Sequence, residues 1–355
     1  MSKRRQRVTI KMIAEASGIS IGTVDRALND RTGISKARKQ QILEIAQELG
    51  YKPNMVASAL SRRKELRIGV AFPYQSVDFY NQMEAGVNQA AAEYENYGVT
   101  VEKIRFETSN AQVMYERLSE LDISAYDGLV INTAGGPVNE FIDRCVEVGV
   151  ATCTFNTDAP ETKRLFYVGA NSHVSGMMGG ELMGLLLKGK GNVAVLGNFA
   201  RVSPFIDRFS GFCEFVQKSY PDIHFYPCPE TKSDSAVAAQ VLKDTLARVP
   251  EINGVFATGY TNTVGAAQAL EDIGRKDVAL VGYDLSSRTG LAVQQGWCRA
   301  LLYQDPRQQG YLAVQSLARH LLEGWTPPKP KIFLESQVVF SSNLDGYLEK
   351  EGILI

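Results

Sequence analysis

Residues 8–60 read VTIKMIAEASGISIGTVDRALNDRTGISKARKQQILEIAQELGYKPNMVASAL, and the spacing within 14–24 decides how the chain begins. Ala14 is small enough for two helices to approach where they cross, Gly18 stands four residues on where a tight turn wants φ > 0, and Val24 faces back into a miniature core. The pattern predicts a helix over Ile10–Ser17 capped by Thr9, and a second that Ser20 opens and Leu28 closes. A third is capped by Ser35, and its Ile42, Ile45, Ala46 and Leu49 keep helical spacing. Gly50 then stops it, and Pro53 pushes the residue before it out of the helical region. Asn54 can cap a short segment, Met55–Leu60, that carries too few contacts to stand alone and reads as a linker. Alone, the Ala-Gly-Val spacing suits a small structural bundle equally well. Charge separates the readings: residues 1–67 hold 15 Lys/Arg against 6 Asp/Glu, a net of +9, and the remainder of the 355 residues carries −10. A basic end of this kind, with Arg62 and Arg63 after the linker, is suited to phosphates.

From Leu66 onward the pattern changes to short β-rich apolar runs alternating with helical stretches. The clearest runs are Arg67–Phe72, Thr100–Phe106, Gly128–Asn132, Ala151–Asn156, Asn192–Leu196, His224–Cys228, Gly254–Thr258 and Val278–Tyr283. Between them lie Asn81–Tyr97, Pro137–Val148, Ser172–Lys188, Phe205–Tyr220, Ser235–Val249 and Asn262–Ile273. Such alternation implies βαβ units and parallel sheets, and roughly 290 residues exceed what one core usually holds, so two doubly wound lobes are expected. The expected division is a headpiece over 1–52, a hinge and linker over 53–65, and an α/β domain over 66–355. Within that domain, lobe 1 takes about 66–168 and 303–325, and lobe 2 about 169–302 and 326–355.

The quoted segment, from Val8 to Leu60 without an evident gap, resembles the DNA-binding headpiece and hinge of the LacI family of bacterial transcription regulators. The remainder resembles that family's effector domain, itself similar to sugar-binding proteins of the ribose-binding type. The resemblance implies a small all-α helix-turn-helix headpiece joined by a hinge helix to a two-lobed α/β domain. It also implies a homodimer on a pseudo-palindromic duplex operator. The Ser20–Leu28 helix would then lie in the major groove, with Ile21, Gly22 and Arg26 where the family places its base readers. Arg26 can offer a bidentate fork to guanine, Ile21 only an apolar contact, and Gly22 no side chain at all. Thr9, Ser20, Thr23, Asn29 and Asn54 complete the set facing DNA. Leu60 matches the apolar wedge that unstacks a base step, with Ala57 kept small beneath it. Asp25 departs from the hydroxyl residue common at its place, and pairing with an Arg is its simplest reading.

Ligand sites in open α/β folds lie at the carboxyl ends of strands. There the chain carries Asp78-Phe79-Tyr80, Asn156-Thr157-Asp158, Arg208 near a helix opening, Tyr283-Asp284 and Tyr303-Gln304. By the resemblance, Arg208, Asp284 and Gln304 match hydroxyl-binding positions and Phe79 and Tyr80 match stacking aromatics. Asn156, Asp158 and Tyr260 are further candidates for a small sugar-like effector. Two departures stand out: Gly135-Gly136 replaces a loop that often holds an Asp, and Gly259-Tyr260 replaces an Asn-Asp pair. Each residue also has an ordinary use, with Asp284 as a helix cap, Asn156 and Asp158 as turn formers, and Phe79 and Tyr80 as core.

Other chemistries find little support. Five scattered cysteines without Cys-x-x-Cys and three distant histidines suggest neither a disulfide framework nor a metal site. No cofactor fingerprint occurs. Gly184-Leu185-Leu186-Leu187-Lys188-Gly189-Lys190 begins like a P-loop, but Gly191 takes the place of the hydroxyl residue and a strand follows instead of preceding. Gly18-Ile19-Ser20-Ile21-Gly22 spells a nucleophile elbow between two helices, where an elbow must join a strand to a helix. No membrane span or export signal is read, and a cytoplasmic location is expected. The alternatives, a solute-binding protein without DNA contact or an α/β enzyme, have the basic helices and the lack of a catalytic constellation against them. The sequence leaves open whether effector lowers or raises operator affinity, and without apolar heptads near its end a dimer is favoured over a tetramer.

Overall fold

A computed structural model describes residues 8–28, 32–49, 65–73, 78–108, 110–197 and 203–355. Asn29, Asn54, Ala57 and Leu60, and almost all of the expected hinge, lie outside the described residues.

Three short helices form the headpiece: α1 (Ile10–Ser17), α2 (Ile21–Leu28) and α3 (Lys36–Glu48). The caps follow from hydroxyl chemistry. Thr9 Oγ1 accepts from Met12 N at 3.3 Å, Ser20 Oγ from Thr23 N at 3.4 Å and Ser35 Oγ from Arg38 N at 3.4 Å. Gly18 takes φ +67° and closes α1 onto the Ala14 carbonyl. Ile13, Val24 and Ile42, one from each helix, are fully buried and hold the bundle together with Ala14, Ala27 and Ala46.

Two six-stranded sheets follow. The first contains β1 (Leu66–Pro73), β2 (Val99–Phe106), β3 (Gly128–Ile131), β4 (Ala151–Phe155), β5 (Tyr167–Ala170) and β11 (Lys331–Leu334), ordered β11-β5-β4-β3-β1-β2 and parallel throughout. The second contains β6 (Lys190–Leu196), β7 (Asp222–Pro227), β8 (Gly254–Ala257), β9 (Ala279–Tyr283), β10 (Ala300–Tyr303) and β12 (Gln337–Val339). Its order, β12-β10-β9-β8-β6-β7, repeats that of the first, with only β12 antiparallel. Helices α4 (Asp78–Glu95), α5 (Ala111–Ser119), α6 (Pro137–Glu147) and α12 (Pro306–Glu323) belong to lobe 1. Lobe 2 has α7 (Ser172–Leu186), α8 (Ser203–Ser219), α9 (Ser235–Arg248), α10 (Tyr260–Asp272), α11 (Ser287–Gln294) and α13 (Leu344–Glu351). Among the described residues no helix is long and apolar enough to cross a membrane.

The expected tail assignment needs correction. Tyr303 ends a strand of the second sheet, and Lys331–Leu334 returns to the first, so 326–355 does not all belong to lobe 2. The sequence hides this because β11 is four residues long and half exposed, with an apolar run of only three residues, Ile332–Leu334. The chain therefore crosses between lobes at 171, at 304–305 and at 335–336.

Glycines set the helix spacing beside the cleft. A Cβ on Gly176 of α7 would fall inside the Arg208 carbonyl of α8, and one on Gly211 would fall inside the His173 carbonyl. Because backbone is what would be struck, Gly176→Ala is expected to cost about 1–3 kcal/mol. At roughly 2–4 °C per kcal/mol the melting temperature should fall by several degrees. Differential scanning calorimetry checks this, and an unchanged melting temperature would mean that α7 and α8 are not in backbone contact.

Candidate functional site

The repeated sheet order makes β4 and β9 counterparts, and each is followed by a residue in left-handed conformation, Asn156 (φ +60°) and Asp284 (φ +67°). Non-glycine residues enter this region at a cost of about 1–3 kcal/mol, and such strain concentrates at binding sites. Here it turns both side chains out of the sheet register.

Asp284 is buried, and so are Arg208 on α8 and Gln304 just past β10. Arg208 Nη1 donates to the Thr258 carbonyl at 2.7 Å and Nη2 to Gln304 Oε1 at 2.6 Å, and Gln304 Nε2 donates to Asp284 Oδ1 at 2.6 Å. A cation and a carboxylate are thus joined through one amide. The guanidinium carbon sits 4.1 Å from the Tyr283 ring centroid and 5.7 Å from that of Phe205, while Arg208 Nε is buried with no hydrogen-bond partner among the described residues. Burial pushes the Asp284 carboxyl above its usual range, against the opposing pull of Arg208, Gln304 and the Tyr260 N–H.

The aromatic candidates come to the same place. Burial raises the Tyr80 phenol to about 12, with the Asp284 charge adding to it, so a ring from lobe 1 lies in the field of a lobe 2 carboxylate. Phe79 meets Tyr80 edge-on at 5.4 Å. The Tyr260 phenol is also raised, chiefly by burial. Gly259 is where the sequence lacks a polar side chain, and the ring of Phe205 fills the gap: a Cβ there would lie 2.6 Å from Phe205 Cε1. Gly135 and Gly136 both have positive φ, and among the described residues no atom beyond each glycine and its chain neighbours lies within 4 Å of where a Cβ would be.

Asp158 is held by its neighbours. Its carboxylate accepts from Arg164 Nε at 2.6 Å and Nη2 at 2.9 Å and from Ala159 N at 2.8 Å, and it pairs with Lys331 Nζ at 3.2 Å. These partners tie the loop after β4 to β11, and the Tyr167 phenol lies in the field of both Asp158 and Arg208. Asn156 keeps its place, accepting from Asn132 Nδ2 at 3.0 Å and donating to Gln309 at 3.3 Å.

Two polar contacts between the lobes have partners that the sequence does not reveal. Asp78 Oδ2 accepts from Ser287 N at 2.7 Å, and Gln82 Nε2 donates to the Leu285 carbonyl at 2.9 Å, joining α4 of lobe 1 to the turn before α11 of lobe 2. Asp78 had a signal, an acid at a helix start, but the Ser287 amide that donates to it is far off in sequence.

On the headpiece, α2 leaves Ile21 54% exposed. Arg26 Nε donates to the Gly22 carbonyl at 3.1 Å, so the guanidinium lies along the helix where Gly22 has no side chain. Ser20 and Thr23 hydroxyls share a 2.9 Å hydrogen bond at the opening of α2, and Thr9 caps α1.

Two family models account for this arrangement: residues 9–54 match bacterial regulatory proteins of the lacI family, and residues 68–324 match the periplasmic binding protein domain. The chain belongs to the lacI family of regulators. Its relatives include the ribose operon repressor of Halalkalibacterium halodurans, 26% identical over 281 residues that cover 78% of this chain and 80% of the relative. The ribose operon repressor of Bacillus subtilis is 26% identical over 302 residues, covering 80% and 83%. Among solved structures, an ABC transporter solute-binding protein from Burkholderia graminis in complex with D-arabinose superposes with a TM-score of 0.74 at 23% identity, over 80% of this chain and 98% of that one. GanP, a glucose-galactose binding protein from Geobacillus stearothermophilus, gives 0.73 at 22% identity, over 79% and 99%. At these identities the likeness is one of fold.

In this lacI-family regulator the raised Asp284 carboxyl has a stability consequence. Between the ordinary carboxylate value of about 4 and its raised native value, the folded chain binds the proton more tightly than the unfolded chain. Its contribution therefore falls as pH rises through that window. Asp284→Asn should gain stability relative to the parent as pH is raised from about 4 toward neutrality. Urea unfolding of both proteins across that range measures the difference, and a gap independent of pH would contradict the assigned direction.

Proposed function

We propose that this lacI-family regulator is a repressor whose two protomers grip a pseudo-palindromic operator and whose hold on DNA is set by a small sugar or sugar derivative in the cleft between its lobes. The observation that carries the effector half is the buried Arg208–Gln304–Asp284 trio, whose Arg208 Nε has no hydrogen-bond partner among the described residues. Guanidinium, amide and carboxylate each can take neighbouring hydroxyls, and rings such as Tyr80, Phe79 and Phe205 can cover the C–H face of a sugar. Two relatives named as ribose operon repressors favour the same class. The absence of side chains at Gly135 and Gly259 distinguishes this cleft from a plain pentose site, and Phe205 makes its wall more aromatic.

For the DNA half, α2 enters the major groove with Arg26 as the leading base reader, Ile21 against a thymine methyl, and Thr9, Ser20 and Thr23 near phosphates. Asn29 adds to the headpiece's contacts, and Asn54, Ala57 and Leu60 extend the interface through the hinge into the minor groove. Such a protein works where the chromosome is, in the cytoplasm.

Two measurements test the proposal. A thermal-shift screen of the purified protein against monosaccharides, sugar acids, sugar phosphates and nucleobases should give a hit among the sugars. A ligand at about a hundred times its dissociation constant adds ~2.7 kcal/mol. Hits confined to nucleobases would overturn the sugar reading. In selection from random duplexes, Arg26→Ala should lose about 1–3 kcal/mol of preference for the parent's selected site while keeping non-specific binding. An unchanged specificity ratio would remove Arg26 from the base-reading set.

A further inference from the structure

Gln309 sits near the start of α12, on the face that otherwise buries Pro306, Ala313, Val314 and Leu317, and none of its surface is exposed. An aliphatic side chain would serve that packing, so a buried amide there calls for a reason. Its two ends reach both halves of the cleft. Nε2 donates to the backbone carbonyl of Gln304 at 2.9 Å, and Oε1 accepts from Asn156 Nδ2 at 3.3 Å. Beyond Gln304 stand Arg208 and Asp284 of lobe 2, and beyond Asn156 stands Asn132 of lobe 1.

The direction of every link is dictated. Arg208 can only donate, so Gln304 turns its side-chain oxygen toward it and its nitrogen toward the Asp284 carboxylate. A backbone carbonyl can only accept, so Gln309 gives it nitrogen and keeps oxygen for Asn156, which in turn keeps its oxygen for Asn132. Flipping any one amide sets donor against donor in a buried place. The row includes the counterpart residues Asn156 and Asp284, both left-handed and each following the equivalent strand of its lobe. Gln304, in the middle, lies on a crossing between the lobes.

We propose that Gln309 is a positioning residue that locks the β4 end of lobe 1 to the β9 end of lobe 2 through Gln304, so that a change at the Arg208–Gln304–Asp284 trio is felt at Asn156. The proposal rests on reading this cleft as the effector site, but its test needs neither effector nor DNA, so the two can fail separately.

The test is hydrogen exchange on the full-length chain carrying Gln309→Met, which keeps the side chain's length and removes both amide bonds. Exchange should quicken about fivefold or more both in 154–158 of lobe 1 and in 284–290 of lobe 2, a segment with which Gln309 makes no hydrogen bond. Quickening confined to 154–158 and α12, or no quickening, would reduce Gln309 to local packing and overturn the proposal. Should Gln309→Met fail to fold, Asn156→Gly preserves the left-handed backbone while removing the partner amide. The same quickening at 284–290 is then expected, and unchanged exchange there overturns the proposal equally.

Discussion

Arg208 and Asp284 are both withdrawn from water, yet they do not touch, because Gln304 stands between them and hydrogen-bonds each at 2.6 Å. Withdrawing either ion alone is costly, and the mutual attraction of a buried pair offsets that cost only where geometry satisfies the remaining donors and acceptors. Much of the cleft follows from meeting that condition. The Thr258 carbonyl takes one Arg208 nitrogen, the Tyr283 ring lies under the guanidinium, and the Tyr260 N–H supports the carboxylate. Gly176 lets α7 come close enough to fix the Arg208 backbone, and the left-handed turn at Asp284 aims its carboxylate at Gln304. Arg208 Nε alone of the guanidinium nitrogens has no hydrogen-bond partner among the described residues.

How much of this could be read from the chain depended on whether a feature is local. The headpiece turns on Ala14, Gly18 and Val24 within eleven residues, and the caps at Thr9, Ser20 and Ser35 act on amides three positions away. Strands with long apolar runs, such as Leu66–Pro73, announce themselves, and the polar residues that end β9 and β10 mark Asp284 and Gln304. What escaped depends on partners remote in sequence. Asp158 looks like any acid in a loop until Arg164 and Lys331 are seen to claim it. Phe205 looks like core until Gly259 is seen to make room for its ring. The strand Lys331–Leu334 offers only three apolar residues in a row, and it sits at a sheet edge with half its side chains exposed.

The headpiece and the α/β domain are stabilised on different scales. Three helices close over Ile13, Val24 and Ile42, a core so small that each cap and the φ +67° turn at Gly18 is a sizeable share of its stability. Each lobe of the large domain, by contrast, buries two apolar clusters, one on either side of its sheet. A ligand bound between the lobes therefore acts on two rigid bodies and their hinge, not on a pliable core.

The repeated topology gives that hinge its meaning. Because the two sheets share one strand order, the residues that follow β4 and β9 face the same cleft from opposite lobes, and neither lobe holds the whole site. Ligand affinity and lobe arrangement are then the same free energy viewed from two ends: whatever arrangement binds ligand better is populated further by it. Leu66, where the first sheet's leading strand opens, follows the headpiece in sequence through residues 50–64, so the chain from the headpiece enters the α/β domain at lobe 1. By linkage the operator must act back on the cleft with an equal coupling energy, whichever sign the effector's influence takes.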